Sequence, residues 1–241
     1  MKLSVVVPVY NEEKLISSTL SKVLQTTLPH GFTMELVVVD DGSRDTTPQK
    51  ITEFVEKKKK TNDNISVLLK SINQGKGAAL RDGFMKTTGD VVLVQDADLE
   101  YSPDDYPILL EPFIKNDADV VYGSRFISDR PHRVLYFWHS VMNKFLTMFS
   151  NMFSNLNLTD METGFKVFKG SLIRQIAPKL QTQRFGFEPE ITARISKVPG
   201  IKIYEVGISY AGRTYKDGKK IGWVDGVKAI WEIIYFNVFV R

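Results

Sequence analysis

The chain has 241 residues, a formal net charge of +4, 43% hydrophobic residues and no cysteine. That length and apolar content support a sizeable core within one domain, and the lack of cysteine excludes a disulfide framework and a thiol nucleophile. The charge is mild and the basic residues are spread out except at Lys57 to Lys60 and Lys216 to Lys220, so nucleic acid is not an expected partner and an anionic substrate or lipid surface fits better.

The first apolar run, Leu3 to Val9, predicts a strand and ends in the polar cluster Tyr10-Asn11-Glu12-Glu13. Pro8 and the charges at Glu12, Glu13 and Lys14 interrupt it too early for a secretory signal, so a cytoplasmic location is expected. A helix is predicted from about 12 to 26, then a strand at 34–40 that runs into Asp40-Asp41-Gly42-Ser43, then a helix from about 45 to 58. Asp41-Gly42 has the composition of a turn, with Ser43 or Asp45 as a helix cap. The lysine run that closes this helix, before the polar turn Thr61-Asn62-Asp63-Asn64, reads as a solvated helix end. The pattern repeats with a strand at 65–70, a helix at 76–87, a strand at 91–95, a helix at 104–115 and a strand at 119–123.

Short, almost wholly apolar, β-branched runs separated by helical patterns indicate an α/β fold whose mostly parallel sheet carries helices on both faces, with ligands bound beyond the carboxyl ends of the strands. Three strand ends carry polar clusters, and these should converge. The most informative is Asp96-Ala97-Asp98, which follows Val91-Val92-Leu93-Val94. Two carboxylates there suit Mg2+ or Mn2+, whose remaining positions go to water and substrate phosphates, so a diphosphate substrate is implied. A solvated acidic turn is the plain alternative for an isolated Asp-x-Asp. Gly75-Lys76-Gly77 lacks the upstream glycine of a phosphate loop, and no G-x-G-x-x-G follows a strand, which excludes ATPase and dinucleotide-dehydrogenase readings.

Beyond Arg125, Ser128 to Arg133 reads as an exposed loop and Val134 to Leu156 as a long helix. Phe137, Val141, Phe145, Met148 and Met152 recur at helical spacing, and the simplest reading is a stripe facing the core. Trp138, Leu146, Phe149 and Phe153 widen the apolar surface, which leaves a lipid-facing side open. Trp223 to Arg241 repeats the pattern through Trp223, Val227, Ile230, Trp231, Ile234, Tyr235 and Val238. Asp225, Lys228 and Glu232 forbid a membrane span there, while an interfacial helix and a helix packed on the domain both remain compatible. No stretch reaches the roughly 20 uninterrupted apolar residues of a spanning helix.

With Val7-Pro8-Val9-Tyr10-Asn11-Glu12-Glu13, Val39-Asp40-Asp41-Gly42-Ser43, Gly75-Lys76-Gly77 and Asp96-Ala97-Asp98-Leu99-Glu100 in that order, the chain resembles family 2 glycosyltransferases. Through Gly123-Ser124-Arg125, Asp160 to Lys166 and Gly212-Arg213-Thr214 it is most similar to the polyprenyl-phosphate (dolichyl-phosphate) mannose and glucose synthases. The resemblance covers nearly the whole chain and implies one GT-A domain over 1–241, with a nucleotide-sugar half near 1–125 and an acceptor half near 126–241. It places Pro8, Tyr10, Asn11 and Glu12 around base and ribose, Asp41 as acceptor for a base N–H, Lys76 near the phosphates, and Asp96 and Ala97 beside the nucleotide. Uracil and guanine both present such an N–H edge, so UDP and GDP sugars both stay open. The metal, Mg2+ or Mn2+, would be held by Asp96 and Asp98 with Glu100 as a third ligand, directly or through water. Sugar nucleotidyltransferases, which open with a glycine-rich loop, are disfavoured by Pro8-Val9-Tyr10-Asn11.

On the acceptor side the resemblance assigns Arg125 and Arg213 to a lipid phosphate, so that Asp98, Arg125 and Arg213 form the expected catalytic set. Arg133 is a looser match, and Lys219 and Lys220 fall in a basic loop near the membrane. A phosphomonoester, with a second pKa of about 6, is already a nucleophile at neutral pH and needs arginine forks rather than a base. Asp160 and Glu188 would face hexose hydroxyls or act as caps. The expected activity is inverting transfer of a hexose from a UDP or GDP sugar to a polyprenyl or dolichyl phosphate, by an enzyme peripheral on the cytosolic face of a membrane. A family 2 transferase acting on a saccharide or other alcohol would need a general base, for which Asp160 and Glu188 are the candidates. A non-catalytic nucleotide-sugar-binding membrane adaptor is a third reading, disfavoured by the Asp96/Asp98 pair.

Overall fold

A computed structural model describes residues 1–58, 64–127, 133–134, 136–184, 186–212 and 223–240. The strands are β1 (Lys2–Val9), β2 (Thr33–Asp40), β3 (Ile65–Leu69), β4 (Val91–Val94), β5 (Val120–Ser124), β6 (Lys166–Lys169) and β7 (Ile203–Gly207). The helices are α1 (Ile16–Gln25), α2 (Thr47–Lys58), α3 (Lys76–Phe84), α4 (Tyr106–Lys115), α5 (Phe137–Ser154), α6 (Gly170–Ile176), α7 (Phe187–Ser196) and α8 (Trp223–Ile234), which continues into a π-helical turn, Tyr235–Phe239. One sheet contains all these strands in the order β3-β2-β1-β4-β6-β5-β7.

Only β6 runs against its neighbours, β4 and β5, so the carboxyl ends of β1, β2, β3, β4, β5 and β7 share one edge with the amino end of β6. The expected convergence of polar strand ends follows. Leu3, Val5 and Val7 pack under α1, α2 and α4, while Val6, Val37 and Val39 pack on the opposite face with Leu80, Phe84, Phe168, Phe187 and Ile191. Burial on both faces explains the near-absence of polar residues in these strands, and each such side chain removed from water stabilises by about 1.5–3 kcal/mol.

The first helix starts at Ile16 rather than near residue 12, because the intervening backbone is committed elsewhere. The N–H groups of Asn11, Glu12 and Glu13 donate to Ser43 Oγ, Thr47 Oγ1 and Asp45 Oδ2, tying the turn after β1 to the turn after β2. Asp45 also accepts from Thr47 N at 3.0 Å, the expected cap of α2.

The long helix α5 corrects the core-stripe reading. Phe137, Val141, Phe145, Met148 and Met152 are all exposed, Phe137 by 69% and Met152 by 71%. The buried side is instead Asn143, Leu146, Thr147, Ser150 and Ser154, which packs toward α7 and α8. This polar side can be buried because much of it is paired: Thr147 Oγ1 accepts from Met161 N, and Ser154 Oγ donates to Ser150 O. In α8, Ala229 and Ile233 face inward with Phe236 of the π-helical turn, whereas Val227 and Trp231 point out. No described helix is long and apolar enough to cross a membrane.

Candidate active site

The turn after β4 is built to hold two carboxylates in place. Gln95, fully buried, donates from Nε2 to the carbonyls of Asp96 and Tyr101 and accepts from the Tyr106 hydroxyl at 2.8 Å. The Ala97 carbonyl accepts from Thr19, and Asp98 Oδ1 accepts from Glu100 N at 3.1 Å. Leu99 completes the turn in the left-handed region, φ +59°, a conformation that costs a branched residue energy and is tolerated where surrounding contacts fix it. Gly164 presses on the same turn: a Cβ there would lie 2.5 Å from Asp96 Oδ2 and 2.7 Å from the Tyr101 ring, so only glycine fits.

Lys76, at the start of α3, places its ammonium 3.0 Å from Asp96 Oδ1 and 3.0 Å from Glu188 Oε1 on α7. Burial works against its charge, but the two carboxylates outweigh that and hold Lys76 well above the usual lysine range. A cation already seated on Asp96 is the stand-in that tests the metal reading, and hard carboxylates at Asp96 and Asp98 fit Mg2+ or Mn2+ with phosphate oxygens completing the shell. Glu100 does not join them. Among the described residues no three His, Cys, Asp or Glu side chains gather closely enough to hold a metal ion, and Glu100 Oε2 instead accepts from the Tyr210 hydroxyl at 2.8 Å.

On the nucleotide side, Pro8 is buried in β1, Tyr10 and Glu12 are half-buried just beyond it, and Asn11 accepts from Arg44 N at 2.9 Å. Asp41 departs from expectation. Its oxygens take Asn73 Nδ2, Gln74 N, Gly75 N and the Lys70 ammonium, so a carboxylate expected to stand open for a base N–H is filled by the protein's own donors. In this arrangement Asp41 anchors the Lys70–Gly75 loop. The glycines flanking Lys76 also serve a different neighbour from the nucleotide: Gly77 N and Ala78 N donate to the carbonyls of Arg184 and Gln183, and a Cβ at Gly75 or Gly77 would strike that segment at 2.5 Å. Those amides are therefore occupied rather than aimed at phosphate.

On the acceptor side, Arg125 and Asp160 find each other. Arg125 Nε and one terminal nitrogen donate to the two Asp160 oxygens at 2.7 Å each, and Arg125 N adds a third bond at 3.0 Å. Asp160 is fully buried and Arg125 nearly so, with the guanidinium 5.3 Å from the Tyr210 ring centre. Burial disfavours the Arg125 charge and Asp160 more than offsets it. Neither the phosphate role of Arg125 nor the base role of Asp160 is open in this arrangement, and Glu188 is likewise held by Lys76. Arg133 donates to Gly212 O, the residue before Arg213, at 2.9 Å. Arg213 and Lys219 lie outside the described residues.

The sequence reading missed four contributors. Tyr101, whose hydroxyl accepts from Gly164 N, makes tilted ring contacts with both Phe165 and Tyr210. Lys166, buried, donates to the carbonyls of Met161 and Thr163, and Glu162 lies in the segment those bonds fix. The signal was present for the last two, since both belong to the motif from Asp160 to Lys166, but spacing alone does not say which of its charges are paired.

The model of the family described as Glycosyl transferase family 2 matches residues 4–177. The chain belongs to that family. It is a glycosyltransferase. It is 30% identical to a dolichyl-phosphate beta-glucosyltransferase of Trichomonas vaginalis, over 99% of this chain and 74% of that one. It is 29% identical to a dolichol-phosphate mannosyltransferase of Pyrococcus furiosus, over 92% of this chain and 61% of that one. In fold it is similar to glucosyl-3-phosphoglycerate synthase of Mycobacterium tuberculosis solved with Mn2+, uridine-diphosphate and phosphoglyceric acid, with a TM-score of 0.69, 18% identity and coverage of 98% of this chain and 78% of that one. This last likeness supports the GT-A architecture.

Proposed function

We propose that this glycosyltransferase moves a hexose from a UDP or GDP sugar to a polyprenyl phosphate, with a divalent metal and at a membrane surface. The names of the relatives that match nearly the whole chain support the acceptor class. The observation that carries it is that both carboxylates expected as a base for an alcohol acceptor are captured by cations, Asp160 by Arg125 and Glu188 by Lys76. An acceptor phosphate needs no such base.

In this reading the acceptor oxygen attacks the anomeric carbon from the face opposite the diphosphate, which leaves with its bonding electrons and inverts the centre. Asp96 and Asp98 would hold the metal, which supplies Lewis-acid stabilisation of the departing diphosphate. Lys76 stands beside Asp96 as a second positive charge for the phosphates. Arg213, with Arg133 tied to the neighbouring Gly212 carbonyl, would bring the acceptor phosphate in. The exposed apolar faces of α5 and α8, with Phe137, Trp138, Met152 and Trp231, support a peripheral seat on lipid, where aromatic side chains are favoured.

The test offers a short polyprenyl phosphate and the matching polyprenol to wild type and Arg213→Ala, with UDP-glucose and GDP-mannose as donors. Only the phosphate is glycosylated, and Arg213→Ala lowers turnover or raises the acceptor KM by roughly 10–100-fold, the worth of charge-assisted hydrogen bonds. Glycosylation of the alcohol as well, with Arg213→Ala affecting neither, would replace this reading by the saccharide-type acceptor.

A further inference from the structure

Glu162 lies in the segment that leads into β6, between Asp160, which grips Arg125, and Gly164, which abuts the Asp96 carboxylate. Its side chain is half-buried, and Oε1 is sealed from water with no hydrogen-bond partner among the described residues. An unsatisfied buried acceptor is costly, and such a cost persists most readily where a ligand repays it. The segment itself is rigid, because the Lys166 ammonium holds the carbonyls of Met161 and Thr163 on either side of Glu162.

The groups around Glu162 narrow what it can bind. Glu188 on α7 repels a negative charge there, while Lys166 on β6 and Arg125, just after β5, favour one, and Asp160 of its own segment opposes it. Burial first and Glu188 second win, pushing the Glu162 carboxyl up to about 7. A diphosphate or acceptor phosphate would meet repulsion from the ionised form. A hydroxyl, both donor and acceptor, can bond to either protonation state. The hexose hangs from the diphosphate, and Gly164 sets this segment directly beside the carboxylate turn that would hold the diphosphate's metal.

We infer that Glu162 binds a hydroxyl of the donor hexose and contributes to the choice of sugar, an inference that rests on the nucleotide-sugar reading of the site. The test is calorimetric titration of wild type, Glu162→Ala and Glu162→Gln with UDP, UDP-glucose, GDP and GDP-mannose in the presence of Mn2+. For the sugar nucleotide that wild type binds, Glu162→Ala weakens affinity about 10-fold, the worth of one hydrogen bond, while affinity for the matching nucleoside diphosphate stays unchanged. Glu162→Gln keeps most of the affinity and removes its change between pH 6 and pH 8. Thermal melting shows both variants folded, since losing an unsatisfied carboxyl does not lower stability. Equal losses for sugar nucleotide and nucleoside diphosphate, no loss for either, or failure of wild type to bind any sugar nucleotide overturns the inference. So does unchanged binding with turnover abolished in Glu162→Gln, which would make Glu162 a proton acceptor. Glycosylation of polyprenol, by contrast, would overturn the acceptor reading and leave this inference standing.

Discussion

At the scale of single residues, the Arg125–Asp160 pair is a structural element with a measurable cost of removal. Taking away one partner strands the other charge in the interior, so Arg125→Ala is expected to destabilise by about 3–5 kcal/mol, read from denaturant unfolding. A loss below about 1 kcal/mol would mean the pair is solvated. Asp98→Asn behaves differently: the turn keeps its hydrogen bonds, so the melting temperature holds while Mn2+-dependent turnover is lost, because a neutral amide is a weaker ligand for a hard cation. Normal turnover in that variant would remove Asp98 from the metal site. Glu162 adds a pH signature. Its carboxyl ionises near 4.5 when unfolded and near 7 when folded, so the unfolded chain holds fewer protons between those values and stability contributed by this group falls as pH rises through them. Glu162→Gln should therefore raise the melting temperature more at pH 8 than at pH 5, and an equal shift at both would refute the raised value.

At the scale of elements, α5 is unusual in hiding serine, threonine and asparagine and showing phenylalanine, tryptophan and methionine. A helix whose apolar face has no protein partner is stable only if something else covers it or if its buried side suffices. The paired hydroxyls of Thr147 and Ser154 and the burial of Leu146 supply that buried side. Replacing Trp138 and Met152 by Glu is thus expected to leave the melting temperature within a few degrees while abolishing co-sedimentation with liposomes of mixed neutral and anionic lipid. If binding persists, the lipid-facing side lies elsewhere. The Lys70–Gly75 loop gives the complementary case: Asp41→Ala removes the shared acceptor of three donors and the ion-pair partner of Lys70, and faster hydrogen exchange at Gln74 and Gly75 would report its release.

At the scale of the whole molecule, the nucleotide and acceptor halves are not separable bodies. The neighbours of β5 in the sheet, β6 and β7, both come from after residue 125, and Asp105 reaches across to accept from Ser209 N and its hydroxyl. A fragment of residues 1–125 is therefore expected to lack a cooperative melting transition by circular dichroism, and a transition like that of the full chain would show two independent units. The run Leu3 to Val9, the run Leu36 to Val39 and the run Val91 to Val94 announced a sheet covered on both faces, because burial on both sides leaves strands no room for polar residues. With the order fixed as parallel, the clusters at Tyr10, Asp41 and Asp96 had to meet at one edge. The chain's own pattern thus specified the first five strands, their parallel direction and the composition of the edge they share, while β6, which runs antiparallel, and β7 were not legible in it. Packing brought Arg125 to Asp160 across 35 residues and Lys76 to Glu188 across 112, which turned four candidate site residues into two ion pairs. It also decided that the apolar stripe of α5 faces outward. Helical periodicity reveals that a face is apolar and local spacing reveals that charges are near one another in sequence, but neither says what the rest of the chain packs against them.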